Sequence, residues 1–92
     1  MTAHLSAADV IALLDLQPLE GEGGYFRETW SLPNPDGGRP LATPILYLVT
    51  PTSFSALHRL DHDETFHVYA GDPCQMSMID LRGDLHEVTL GH

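Results

Sequence analysis

The chain has 92 residues, 42% of them hydrophobic, and a formal net charge of −9. It contains no lysine and only four basic side chains, Arg27, Arg39, Arg59 and Arg82, so it has little to neutralise phosphate, and nucleic acid and anionic membranes are poor partners. The length fits one small domain, and no apolar run can span a bilayer or serve as a secretory leader, which makes a cytoplasmic location the expectation.

From the N-terminus, the spacing predicts a helix over residues 6–16. Ser6 is a good N-cap, Asp9 three residues on makes an imperfect capping box, and Val10, Ile11, Leu13 and Leu14 form an apolar stripe. Pro18 is the expected stop. The loop 18–24 reads P-L-E-G-E-G-G. It lacks the spacing and the lysine of a phosphate cradle, and its two glutamates would repel an anion, so it reads as a turn. Residues 24–30 then alternate as a strand, with Phe26, Glu28 and Trp30 on one side and Tyr25, Arg27 and Thr29 on the other. Arg27 is a candidate anchor for an anionic ligand group, although an ion pair with a nearby acid is the plainer role.

Residues 31–40 are turn-rich around Asn34-Pro35-Asp36-Gly37-Gly38, which suits a hairpin tip, a lid or a plain surface loop. Ile45 to Thr50 is a nearly continuous apolar run and reads as a buried strand. Tyr47 projects a hydroxyl from it, either as a satisfied core tyrosine or into a pocket. Pro51-Thr52 supplies the next turn.

The central stretch runs from Phe54 to Gly71. Alternation puts Phe54, Ala56, His58 and Leu60 on one face, and Glu64, Phe66, Val68 and Ala70 on one face of the following run. Asp61, His62 and Asp63 are the expected connection. If the two runs pair as a hairpin and share a face, an imidazole and a carboxylate enter one apolar interior, which is costly unless they are paired, protonated or metal-bound. The plainer alternative is that they bond to each other or to Arg59 at a sheet rim.

Beyond Asp72-Pro73, residues 75–81 and 85–90 read as strands joined by a tight Arg82-Gly83-Asp84 turn. Met76 and Met78 share a face as core filler, and His86 and His92 are expected to be exposed. The single cysteine, Cys74, cannot form an internal disulfide and reads as a small, partly buried side chain.

Several of these pieces together resemble the cupin superfamily (RmlC-like). Its first motif is G-x5-H-x-H-x3-E-x6-G. His58, Glu64 and Gly71 fall on the first His, the Glu and the closing Gly, whereas Leu60 replaces the second His and Thr52 the opening Gly. Glu22 to Thr29, Thr43 to Pro51, Ser55 to Glu64 and Ala70 to Pro73 are similar to the ordered motifs of a functionally uncharacterised branch of small cupin-like proteins. The resemblance implies an all-β, mainly antiparallel double-stranded β-helix, or jelly-roll barrel, over residues 24–92 of a single domain, with a short N-terminal helix. No second cupin motif follows, so the barrel is expected to be incomplete.

The resemblance also implies a small-molecule-binding protein, with a carbohydrate or nucleotide-sugar ligand as one expectation. Tyr47, Phe54, Phe66 and Arg27 are then candidate ligand-binding residues. A metal-free epimerase or isomerase with His58 as base and Glu64 as its partner is an alternative. A metal-dependent enzyme using His58 and Glu64 is another. Metal-holding cupins use both motif histidines, the Glu and a later His, so Leu60 removes one ligand; His67 faces away from Glu64, and His62 lies in the turn. The expectation is therefore no cofactor rather than a divalent metal. The resemblance further implies a homodimer, paired through strand edges and the N-terminal region.

Overall fold

The computed structural model describes residues 5–60 and 62–91. Asp61, expected in the central connection, and His92 lie outside the described residues. The chain divides into two compact units, Met1–Arg59 and Leu60–His92.

The first unit opens with helix α1, Ala7–Leu14. The Ser6 hydroxyl accepts from the Asp9 amide at 3.1 Å, and the Asp9 carboxylate accepts from the Ser6 amide at 3.0 Å. Together they satisfy two of the amide donors left free at a helix start. The helix ends earlier than the proline suggests. Asp15 turns left-handed, with φ 53°, and both its amide and that of Leu16 return to the Ile11 carbonyl. Aspartate tolerates this conformation, so the stop is a local cap three residues before Pro18. Leu16, the residue just past the cap, is 4% exposed and is the one buried large apolar side chain among the described residues.

Pro18 instead enters β1, Gln17–Pro18, which pairs antiparallel with β2, Tyr25–Glu28; β2 pairs antiparallel with β3, Ile45–Leu48. β1 is an edge strand of this three-stranded sheet, a position where a missing amide is tolerated. Register aligns Phe26 with Tyr47 and Arg27 with Leu46. One face therefore carries Tyr25, Arg27, Leu46 and Leu48, and the other Phe26, Glu28, Ile45 and Tyr47. Arg27 Nε donates to the Leu14 carbonyl at 2.7 Å, a cation placed at the negative end of α1.

Residues 29–44 continue the β2–β3 hairpin. Thr29 donates to Pro44, and Leu32 and Ala42 form a bridge. The tip is an Asx turn, with the Asp36 amide on the Asn34 side-chain oxygen at 3.0 Å. At the far end of β3, Thr50 and Ser53 bridge around Pro51-Thr52.

The second unit is built on the hairpin of β4, Cys74–Ile79, and β5, Leu85–Leu90. Register puts Cys74, Met76 and Met78 on one face with Leu90, Val88 and His86. The Gln75 amide bonds to the Glu87 carboxylate on the other face. Asp80 organises the turn: its side chain accepts from the amides of Arg82 and Asp84, at 2.9 and 3.0 Å, and bonds His86 Nε2 at 2.8 Å.

The described residues thus form mainly antiparallel sheets with one short helix, a three-stranded sheet in the first unit and a two-stranded sheet in the second. The expected central hairpin is the main departure. Neither residues 54–60 nor residues 62–69 form a strand. Alternation assigns faces, but a strand exists only where a neighbouring chain completes the ladder. The backbone bond from the first run, Ala56 N–H to the Glu22 carbonyl at 2.6 Å, leads back to the glycine loop before β2.

Candidate functional site

The loop between β1 and β2 is closed by the Leu19 amide on the Gly24 carbonyl and the Gly23 amide on the Leu19 carbonyl, at 3.0 and 2.9 Å. Gly23 and Gly24 hold φ of 96° and 76°, left-handed values that favour glycine. A Cβ on Gly23 would collide with the Phe54 carbonyl oxygen, and one on Gly24 would press into the Tyr47 ring. The two glycines thus let residues 47–56 lie directly against the loop.

Three hydrogen bonds fasten this contact. The Tyr47 hydroxyl donates to the Gly23 carbonyl at 2.6 Å. Gly24 N–H donates to Ser53 Oγ at 3.0 Å. Ala56 N–H donates to the Glu22 carbonyl. Beside them opens a cleft of about 380 Å³, lined by Leu19, Glu20, Glu22, Ser53, Phe54 and Ala56 among others. Its lining belongs to the first unit alone and contains no arginine.

His58 follows that lining. Its Nδ1 lies 2.6 Å from the Ala56 carbonyl oxygen, and its Nε2 lies 3.8 Å from the Glu22 carboxylate. A carbonyl can only accept, so Nδ1 carries the hydrogen. In the neutral ring the lone pair is then on Nε2, the nitrogen beside Glu22. Both side chains reach solvent: His58 is 30% exposed and Glu22 46%. At 3.8 Å the two atoms do not bond directly, yet one ligand oxygen or nitrogen can reach both.

The remaining candidates are spread out. Phe54 lines the cleft. Tyr47 supports the cleft floor through its bond to Gly23. Arg27 is engaged with the helix end, on the sheet face opposite Tyr47. Glu64 and Phe66 belong to the second unit, both exposed and outside any strand. The carboxylate next to His58 is Glu22, a residue that the sequence alone places in a turn. Its signal was the E-G-E-G-G run, where consecutive glycines mark a close backbone approach.

Among the described residues, no three His, Cys, Asp or Glu side chains are grouped to hold a metal ion. His58 and Glu22 are two donors, short of the three that a catalytic zinc centre takes from protein. No metal step is therefore derived from this donor set. No helix among the described residues is long and apolar enough to cross a membrane.

A family model described as Cupin superfamily (DUF985) matches residues 8–92. Neither the curated proteins nor the solved structures gave a match.

Proposed function

The chain belongs to the cupin superfamily, and we propose that its cleft between the glycine loop and residues 52–56 binds a small organic molecule. The observation that carries this reading is the fixed His58 ring. Its Nδ1 is engaged by the chain's own backbone, and Nε2 is left beside Glu22 at the cleft. In the lining, Phe54 and Leu19 offer apolar contact and Glu22 and Ser53 offer polar contact, the mixture expected of a small-molecule site, and His58 stands beside Glu22.

A thermal-shift screen of sugars, sugar phosphates and nucleotide sugars tests the reading. Stabilisation by at least one compound, lost in His58→Ala, supports it; at a hundredfold excess over Kd the gain is about 2.7 kcal/mol. No stabilisation by any compound contradicts it.

Isomerase chemistry is a second reading, favoured by the Nε2 lone pair. In it, Nε2 removes a proton from a carbon next to a carbonyl, and the Glu22 charge steadies the imidazolium that forms. The carbanion takes a proton from solvent on its opposite face, which inverts the carbon, and the imidazolium gives its proton back to solvent. Deuterium uptake from solvent at that carbon, abolished in His58→Gln while binding persists, is the expected result.

We infer as well that the chain works as a homodimer. Leu13, Trp30 and Leu41 in the first unit, and Leu81 in the second, are large apolar side chains left exposed. Sedimentation equilibrium giving twice the chain mass supports this, and a monomer at micromolar concentration contradicts it.

A further inference from the structure

The side chains at the cleft are unevenly divided between donors and acceptors. The amides of Gly23, Gly24 and Ala56 and the Tyr47 hydroxyl are engaged in holding the loop. The side-chain groups left in the lining are mostly acceptors, the carboxylates of Glu20 and Glu22, with His58 Nε2 beside Glu22. Ser53 Oγ accepts from Gly24 and keeps its own hydrogen to donate. No arginine lines the cleft, and Arg27 is engaged with the Leu14 carbonyl.

We propose that this cleft selects a donor-rich ligand without negative charge, a polyhydroxylated or amino-bearing small molecule, and rejects phosphorylated and carboxylated relatives of it. The inference rests on the small-molecule reading above and gives it a substrate class. Two carboxylates in the lining of one cleft repel an anion, and no lysine or arginine lines it to offset them. A hydroxyl or ammonium group set between Glu22 and His58 donates to a charged acceptor, one of the stronger kinds of hydrogen bond. Of the carbohydrate ligands that the sequence suggests, the geometry favours the free sugar over the nucleotide sugar.

The test compares matched probes on the intact chain. D-glucose, D-glucosamine and D-glucose 1-phosphate are titrated by heteronuclear NMR into the wild type, Glu22→Gln and Glu20→Gln. The expected result is shifts at residues 19–24 and 53–58 with glucose or glucosamine, and binding of the phosphate at least about tenfold weaker. Glu22→Gln narrows that gap; if it fails to fold, Glu20→Gln carries the comparison. Preferential binding of glucose 1-phosphate, or a gap unchanged in both variants, overturns the inference while leaving a small-molecule cleft. Absence of shifts with all three probes overturns the inference and also counts against the reading beneath it.

Discussion

His58 Nδ1 sits 2.6 Å from the carbonyl oxygen of Ala56, two residues earlier in the chain. Ala56 is held on both sides, because its amide bonds the Glu22 carbonyl while its own carbonyl bonds the His58 ring. One residue thus couples the position of the imidazole to that of the glycine loop. Long-range 15N NMR of the neutral ring is expected to show the Nδ1–H form. A ring predominantly protonated on Nε2 would remove the basis for presenting Nε2 to a ligand.

The close approach of Gly23 and Phe54 gives the second prediction. Gly23→Ala combines a left-handed φ of 96° with a collision against the Phe54 carbonyl oxygen. The loss by urea unfolding is expected to exceed about 2 kcal/mol. Gly21→Ala is the control. Its φ is 84°, but the space around it is open, so only the conformational cost of about 1 kcal/mol applies. Equal losses at the two positions would mean that the loop does not press on residues 53–56.

Tyr47→Phe removes the hydroxyl that bonds the Gly23 carbonyl and keeps the ring. The expected destabilisation is about 1 kcal/mol, with faster amide exchange at Gly23 and Gly24. A neutral substitution with unchanged exchange would place the anchoring of the loop elsewhere.

The second unit has its own pH dependence. The His86 hydrogen bond first, and then the Asp84 and Arg82 amides, hold the Asp80 carboxyl below its ordinary value. A depressed folded value contributes stability that is fully present above the unfolded value, about 3.9, and is lost as pH falls through the folded one. Acid titration is therefore expected to loosen the β4–β5 turn below the usual aspartate range, read from the Arg82 and Asp84 amide shifts. In Asp80→Asn that acid transition disappears. The Asp80 side chain is 38% exposed, so solvent screens the interaction and the effect stays local to the turn.

What the sequence made legible follows the range of the interactions. The Ser6–Asp9 cap, the Pro51-Thr52 turn and the Arg82-Gly83-Asp84 turn between two strands are short-range, and each can be read from neighbouring residues. The helix end was harder to read because Asp15 stops the helix through its own backbone, with no glycine to mark the place. Residues 54–60 and 64–70 alternate as strands should, yet a ladder needs a partner that alternation does not supply. The site shows the same limit. His58 was visible from its motif, but its carboxylate neighbour lies 36 positions earlier, since 58 − 22 = 36. Only the fold of the glycine loop brings Glu22 there.

The most direct test of the cleft as the binding site is NMR shift mapping with a fragment library on the 15N-labelled chain. The account predicts that hits perturb residues 19–24 and 53–58 together, and that His58→Ala abolishes those shifts. Hits confined to residues 62–91, or an absence of hits, would contradict it.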